Sequence, residues 1–315
     1  MATEISAAFN QPLVALLSPN QMEWLMPIAA LIPLLIGGWI VWLERKRRDD
    51  PETAPQKERL LRPPGYSLAV RLDTALDNAF QSLVFACGLF AAAGPVGYLT
   101  FLLSRMPRFP IWYYLYPVLT VVFVGVGIAL LIRFRHMLAE ASNYRLGMRG
   151  EQAVAEALNE AANCGYRSFH DFPAEENWNI DHIVAGPQGV FAIETKARRR
   201  KGSRGDQPAH EVRFDHAALH FPTAKDTKAI PQAERNARWL ANHLSKKTGE
   251  PVEVVPLVVL PGWYFTPLEP PPRKVEVMNA SYLPGYLRRQ SGRINQAQLT
   301  RIITALDEKC RDVEF

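Results

Sequence analysis

The stretch Asn179–Lys196, NIDHIVAGPQGVFAIETK, contains two apolar runs separated by the turn signal AGPQGV. Gly and Pro between two such runs predict a β-hairpin, so we expect strands at Asn179–Ala185 and Val190–Lys196. Apart from a few polar residues, both faces of this hairpin are apolar, which is typical of strands inside a sheet. The charged residues that interrupt these strands therefore need an explanation.

Pairing across the predicted turn places two carboxylates together. If Ala185 pairs with Val190, Asp181 lies opposite Glu194, with Cβ atoms about 4.5 to 5.5 Å apart. Lys196, two residues beyond Glu194, projects from the same face. Facing carboxylates repel unless a cation lies between them, and a hard divalent ion such as Mg²⁺ prefers oxygen ligands of this kind.

The polar residues of the hairpin also have explanations that involve no metal. Asp181 and Glu194 would lie on a solvated outer face and pair with nearby lysines or arginines. His182, on the opposite face from Asp181, is better explained as a core histidine with a satisfied hydrogen bond than as a catalytic base.

Three long apolar segments precede the hairpin, at Trp24–Leu43, Val84–Ser104 and Ile111–Ile132. Each is close to the length of about 20 residues that a helix needs to cross a bilayer. The alternative for any one of them is a buried core helix. Three in succession favour three transmembrane helices, with the lipid bilayer as a partner.

The charges around these segments predict their orientation. The loop 44–80 carries eight Lys or Arg residues, whereas the loop 104–110 carries two. Because cytoplasmic loops are enriched in these residues, we expect residues 1–23 outside the membrane and residues 144–315 in the cytoplasm. This describes a multi-pass protein of the inner (plasma) membrane of a bacterium.

Two helical extensions are predicted within the membrane region, residues 24–143. Apolar residues recur at helical spacing over Leu68–Phe80, which favours an amphipathic helix on the inner membrane surface. The third transmembrane helix continues as a stalk over 133–146, and Gly147 ends it.

The remaining sequence predicts an α/β domain of ordinary size. The three cysteines are far apart and odd in number, so they indicate neither a disulfide framework nor a thiolate metal site. Beyond the hairpin the predicted elements are helices at Gly150–Ala162, Gln232–Ser245 and Asn295–Cys310, strands near Arg167–Phe172, over Val252–Leu260 and near Val275, and a Pro-rich loop at Pro261–Pro272.

Four motifs in this region occur in a recognisable order: GMRGE, NIDH, GPQGVFAIETK and QAERNARWL, between Gly147 and Leu240. In this order they resemble the nuclease-related domain, NERD, a branch of the PD-(D/E)xK endonuclease superfamily, over about Arg145–Leu260. The resemblance implies a restriction-endonuclease-like mixed sheet flanked by helices. The segment ARRRKGSRGDQPAHE after Lys196 departs from the short turn usual in the family.

The resemblance also implies roles for residues of the hairpin. Asp181 and Glu194 are expected to bind Mg²⁺, or alternatively Mn²⁺, together with the backbone carbonyl of Thr195. Lys196 is expected to orient or activate the attacking water. Phosphodiester cleavage needs a cation to balance charge on the phosphate and a water made nucleophilic near neutral pH.

Two helical residues extend this predicted site. Glu151 continues an apolar stripe and so points toward the sheet, where the family motif implies a catalytic role that is water-mediated or indirect at the metal. The alternative is a glutamate favoured by the helix dipole. Gln232, near a helix start, is a candidate contact to phosphate or water, with an ordinary surface glutamine as the alternative.

A basic run follows the hairpin and is the predicted nucleic-acid-binding element, because such clusters bind phosphates by releasing counterions. DNA is the expected partner, with RNA as an alternative, and anionic lipid competes for the same charges. The residues concerned are Arg198, Arg199, Arg200, Lys201 and Arg204.

These observations predict a membrane-anchored, metal-dependent DNA endonuclease. The alternative is a membrane-anchored nucleic-acid-binding or scaffold protein whose nuclease fold no longer cuts. A transporter is disfavoured because the apolar segments contain no charged residue. Pairs of glycines in these segments, such as Gly125 and Gly127, favour close helix packing and self-association to a homo-oligomer.

Overall fold

The structure, a computed structural model, divides the protein into two compact units. Residues 74–140 belong to the first unit, and residues 54–73 with 141–315 form the second. The residues that the structure describes are 36–40, 42, 43, 46, 59–104, 111–175, 178–215, 217–268, 273–292 and 294–313.

Two described helices are long and apolar enough to cross a membrane: α1, Tyr66–Ser104, and α2, Ile111–Ala162. Only 17% and 6% of their most apolar windows are buried, whereas a core helix of a soluble protein would be mostly buried. The predicted first span, 24–43, lies outside the described residues except for a few helical residues near its end, and the predicted external segment 1–23 lies wholly outside them.

Both helices are longer than the sequence predicts. The amphipathic segment Leu68–Phe80 is helical, but it is part of α1 and not a separate surface helix, because neither Gly nor Pro interrupts the chain between Tyr66 and Gly88. Gly147 does not end α2, which continues to Ala162. The stalk and the predicted helix at Gly150–Ala162 are therefore one helix.

The glycines of α2 near this point serve close packing and not helix termination. A Cβ atom on Gly150 would lie 2.6 Å from the Cβ of Ala197, and one on Gly147 would lie 2.9 Å from a methyl of Leu68. Glycine costs a helix about 1 kcal/mol relative to alanine. Here the absence of a side chain at these two positions allows neighbouring chain segments to approach α2 closely.

The second unit is built on a five-stranded mixed sheet, which confirms the mixed α/β class. Its strands are β2 (Arg167–Glu175), β3 (Trp178–Gly186), β4 (Gly189–Thr195), β8 (Val254–Val259) and β10 (Glu276–Met278). The order is β10-β8-β4-β3-β2. β3 is antiparallel to both of its neighbours, β2 and β4, whereas β4, β8 and β10 are parallel.

The predicted hairpin register is confirmed. Ala185 pairs with Val190, and Gly186 pairs with Gly189 across the turn. The backbone ladder between β3 and β4 ends at the pair His182 and Ile193. The carboxylates predicted to face each other lie just beyond that last pair.

Helices cover both faces of the sheet. The helices α3 (Ala229–Thr248) and α5 (Gln296–Cys310) pack on one face in an apolar cluster that includes Ile183. Residues of α2 pack on the other face with Val184. Ile180, which strict alternation places with Val184, instead packs in the cluster of Ile183.

A second, four-stranded sheet lies in the segments that the sequence predicts as polar and Pro-rich loops. Its order is β7-β6-β5-β9, and Val212, Leu219 and Trp263 are buried in its core. The strands are too short for a clear alternation of apolar and polar residues. Their bounds are Glu211–Phe214 (β5), Leu219–Phe221 (β6), Ala224–Asp226 (β7) and Tyr264–Pro267 (β9).

Four small elements complete the second unit. A 3₁₀ turn at Ala280–Tyr282 leads into the short helix α4, Leu283–Arg288. Near the opposite ends of the chain, β1 (Leu60–Leu61) pairs antiparallel with β11 (Arg311–Val313). The segment before α1 is therefore part of the α/β unit, which its sequence does not indicate.

Asp171 fastens this N-terminal segment to the main sheet. Its buried carboxylate accepts hydrogen bonds from the N–H of Ser67 at 3.0 Å, the hydroxyl of Ser67 at 2.6 Å and Arg62 at 3.2 Å, and one from the amide of Asn179. Its φ is 48°, which is uncommon for a residue other than glycine. Such conformations persist where the surroundings fix them, as these donors do.

Removing this attachment should destabilise the second unit. We expect Asp171→Ala to lower the free energy of unfolding by about 3–5 kcal/mol, because it leaves Arg62 without one of its ion-pair partners. Ser67→Ala should cost about 1.5–3 kcal/mol, the value of a hydrogen bond to a charged group. Pulse proteolysis of the full chain in increasing urea measures both changes.

Thr300→Ala is the matched control, since its hydroxyl donates only to Gln296 within the exposed face of α5. It should change stability by about 0.5 kcal/mol or less. If Asp171→Ala were as stable as this control, Asp171 would not hold the N-terminal segment.

Candidate active site

The candidate site forms where the hairpin ladder ends. Oδ2 of Asp181 accepts a hydrogen bond from the backbone N–H of Thr195 at 2.7 Å. A side chain of β3 thus replaces the backbone as the acceptor for an N–H of β4, just beyond the last backbone pair. Glu194, adjacent to Thr195, is 2% exposed. The register of the hairpin therefore brings the two acidic residues close together, as predicted.

Glu194 and Lys196 form an ordered group with the first turns of α3. Nζ of Lys196 donates to Oε1 of Glu194 at 2.6 Å and to Oε1 of Gln232 at 3.2 Å. Nδ2 of Asn236 donates to the other oxygen, Oε2, of Glu194 at 3.1 Å. The structure therefore brings the predicted residues Glu194, Lys196 and Gln232 together.

The start of α3 is fixed by its own local contacts. Oδ1 of Asp226 accepts from the N–H groups of Lys228 and Ala229 at 2.9 and 3.1 Å, which satisfies backbone donors that a helix start leaves free. Gln232 and Asn236 are four residues apart and so lie on one face of the helix. That face is turned toward the end of β4.

Glu151 is the third acidic residue of the group and is 5% exposed on α2. Burial raises the pKa of Glu151 to about 8, and the negative charges of Asp171 and Glu194 add to the rise, while a backbone hydrogen bond from Gly65 opposes it. Its Oε2 atom is buried without a hydrogen-bond partner. The inward orientation predicted from the apolar stripe is confirmed.

The pKa values of Asp181, Glu194 and Lys196 depend on one another. Burial raises the pKa of Asp181 well above its usual range, and the carboxyls of Glu194 and Glu151 add to that rise. Burial raises the pKa of Glu194 as well, although Lys196 lowers it. Burial lowers the pKa of Lys196, but Glu194, Asp181 and Asp226 raise it by more, so Lys196 holds its proton.

The chemistry of this group fits a hard divalent cation. Three carboxyl groups share one lysine, all the candidate donors are oxygen atoms, and Oγ1 of Thr195 is also buried without a partner. Magnesium and manganese prefer such oxygen ligands. Among the residues described, no three His, Cys, Asp or Glu side chains are grouped to bind one ion.

His182 lies outside this group. Its Nδ1 atom is 2.8 Å from Nδ1 of His170, and its side chain is fully buried. Burial lowers the pKa of His170 to about 4 and places the pKa of His182 well below its usual value. Both rings are neutral at physiological pH, so His182 is a core histidine as predicted. The predicted hydrogen bonding is satisfied only at Nδ1, because Nε2 is buried without a partner among the described residues.

The basic run after β4 does not extend freely into solvent. Arg198 pairs with Asp226 at 3.5 Å, and its guanidinium lies 4.4 Å from the ring centroid of Phe221. Arg200 donates to the carbonyl of Gly262, and Arg204 forms a backbone bridge with Gln207. Of these contacts, only the one between Arg198 and Asp226 balances a charge of the predicted phosphate-binding run with a carboxylate.

Two residues of this region escape sequence reasoning. Asn236 binds Glu194 and is 1% exposed, and its spacing from Gln232 within QAERNARWL is the signal that could have found it. Asp171 is a charged residue within an apolar strand, FHDF, the same signal that draws attention to Asp181. Two of its partners, Arg62 and Ser67, lie more than 100 residues earlier, just before α1 and in its first turn, so the sequence gives no sign of its role.

The fold and the site define a mixed α/β domain whose acidic residues and lysine meet at the end of a central hairpin. The family model of the nuclease-related domain, NERD, matches residues 146–261, which include Glu151, Asp181, Glu194 and Lys196. This match indicates a nuclease-related function. Neither the curated proteins nor the solved structures gave a match.

The raised pKa of Glu151 predicts a pH dependence of stability. An unfolded glutamate has a pKa of 4.5, and the folded value is about 8, so between these values the folded state binds more protons than the unfolded state. Stability should therefore fall as pH rises through this window. In chelator, Glu151→Gln should remove part of that fall, as measured by the free energy of unfolding against pH.

Glu156→Gln provides the control, because Glu156 is exposed on the same helix. It should follow the wild-type profile. If the Glu151→Gln profile also matched the wild-type profile, folding would not raise the pKa of Glu151.

Proposed function

We propose that the protein is a membrane-anchored, metal-dependent endonuclease that hydrolyses DNA phosphodiester bonds, with a restriction-endonuclease-like PD-(D/E)xK fold. One observation carries the proposal: Asp181, Glu194 and Lys196 meet at the end of the hairpin that the NERD match covers. The sheet order, with an antiparallel hairpin followed by parallel strands, supports the fold assignment. RNA is a second candidate substrate.

Asp181, Glu194 and the backbone carbonyl of Thr195 would hold Mg²⁺, or Mn²⁺ in its place. The bound ion supplies positive charge to the phosphate oxygens and lowers the pKa of water. The protein contributes the rigid frame: Thr195 N–H fixes one oxygen of Asp181, and Asn236 fixes one oxygen of Glu194. Ligands held in this way need little reorganisation on binding.

Lys196 acts as a fixed cation in this proposal. It is held between Glu194 and Gln232, and its raised pKa keeps the ammonium protonated. A positive charge held beside the scissile phosphate stabilises the charge that develops there in the transition state. Gln232 then positions Lys196 and offers its amide to phosphate or water.

Glu151 is buried on α2 and holds its proton near neutral pH. A protonated carboxyl can donate a hydrogen bond as well as accept one. Glu151 therefore orients a water or a neighbouring carboxylate from the α2 side, which is the indirect role implied by the family motif.

The topology of the second unit supports the proposed membrane arrangement. Residues 54–73 and 141–315 belong to one unit, and β1 pairs with β11. The intervening chain, 74–140, leaves this unit and returns to it, which requires an even number of crossings, and α1 with α2 supplies two. A further crossing at 24–43 places the N-terminus outside and the nuclease unit in the cytoplasm, in accord with the basic loop 44–80.

The first functional prediction separates metal binding from chemistry. In the wild type, Mg²⁺ should raise the melting temperature, because a ligand that binds only the folded state stabilises it. Asp181→Asn should abolish cleavage and most of this stabilisation. Lys196→Ala should lower cleavage steeply, by about 100-fold or more, and keep the Mg²⁺ effect. Cleavage of supercoiled and single-stranded DNA and thermal unfolding provide the measurements.

Lys225→Ala is the matched control, since Lys225 is exposed on the second sheet. Wild-type protein that binds Mg²⁺ or Mn²⁺ by calorimetry but cuts neither DNA nor RNA would refute the nuclease and favour a non-cutting scaffold. Cleavage by Asp181→Asn at the wild-type rate would remove this site from the reaction.

The second functional prediction concerns orientation. In a chain whose three native cysteines are replaced, an impermeant maleimide should label Thr3→Cys from outside intact cells. It should label Glu308→Cys, on the exposed face of α5, only after the cells are opened. Labelling of Glu308→Cys in intact cells would reverse the proposed topology.

A further inference from the structure

A cavity of about 400 Å³ lies where the chain leaves β4. Its volume falls within the range of about 300–1,000 Å³ typical of ligand sites. The side chains of Arg198, Arg199 and Lys201 line it, and Phe221 and Trp263 contribute apolar surface.

The guanidinium of Arg199 is held in place without being neutralised. It donates to Oδ1 of Asn143 at 3.0 Å, to the carbonyl of Ser142 at 3.0 Å and to the hydroxyl of Ser142 at 2.8 Å. All three acceptors are uncharged. Arg199 therefore keeps its full positive charge in a fixed orientation, which is the condition for strong binding of an anion.

The neighbouring cations differ in this respect. Arg198 is balanced by Asp226, whereas Lys201 forms neither a hydrogen bond nor an ion pair among the described residues. Arg199 and Lys201 thus give the cavity two uncompensated positive charges. Among the described residues that line the cavity there is no carboxylate, so its electrostatic preference is for an anion.

The cavity also adjoins the candidate site. Ala197, which follows Lys196 directly, lines it, as does Gly147, one helical turn before Glu151. Gly150 allows α2 to approach Ala197 closely. A polynucleotide strand with one phosphate at Lys196 would have its neighbouring nucleotides near this cavity.

We propose that this cavity is a nucleotide subsite, in which Arg199 and Lys201 bind a backbone phosphate of the substrate strand next to the scissile one. Ser142 and Asn143 position Arg199, and the apolar floor accommodates sugar or base. The identity of the ligand as nucleic acid rests on the proposed function. The binding itself requires neither metal nor cleavage.

The test measures binding of a fluorescein-labelled oligothymidylate to the full chain in detergent with chelator, by anisotropy. We expect Arg199→Ala and Lys201→Ala each to weaken binding about tenfold or more, since each removes a charge-assisted contact. Thymidine monophosphate should compete better than thymidine. Lys201→Ala should melt at the wild-type temperature, because Lys201 has no partner in the described fold, so its loss of binding cannot come from unfolding.

Lys225→Ala is again the control, because Lys225 is exposed nearby but does not line the cavity. An equal loss of affinity in this control would mean diffuse attraction and would overturn the subsite. So would unchanged oligonucleotide binding in Arg199→Ala combined with weaker binding to phosphatidylglycerol vesicles, which would assign the cavity to lipid. Wild-type binding without cleavage in Mg²⁺ would refute the nuclease and leave the subsite standing.

Discussion

The second unit depends on three carboxyl groups held close together with one lysine to balance them. Asp181 and Glu194 come from the hairpin, and Glu151 comes from the helix on the opposite side. Burial raises the pKa of all three groups, and repulsion from neighbouring carboxyls adds to the rise for Glu151 and Asp181. A fold that only had to be stable would not retain this arrangement, because unpaired buried charge is costly. We therefore infer that the arrangement is retained for function at a cost in stability, since strongly perturbed pKa values cluster at functional sites.

The surrounding structure serves to hold these groups in place. α3 supplies two amides, Gln232 and Asn236, four residues apart. The close approach of α2 at Gly150 brings Glu151 to the sheet. Asp171 attaches the segment before α1, whose Gly65 N–H bonds to Glu151. The site thus collects groups from four stretches of chain, one of which lies before the apolar helices.

The sequence predicts the hairpin, its register and the meeting of Glu194 with Lys196, because a short turn and a strand period of two leave little freedom. It also predicts the bounds of α3 and α5 to within three residues, but it misses the short helix α4. It fails at Gly147, where a packing requirement resembles a helix stop. It misses the second sheet, whose strands of three or four residues carry no periodic signal, and β1, whose partner lies about 250 residues away. Local patterns cannot report contacts of that separation.

The pairing of β1 with β11 sets an order of events during synthesis. Arg62 cannot bond to Asp312, 250 positions later, until that residue has been synthesised. At about 5–20 residues per second, synthesis of the intervening chain takes on the order of 12–50 s. The two apolar helices emerge from the ribosome within that interval. The unit can be completed only after they have been made and the last strand has been released. Under the proposed function, this order completes the α/β unit that carries the candidate site only after the helices proposed to anchor it have been synthesised.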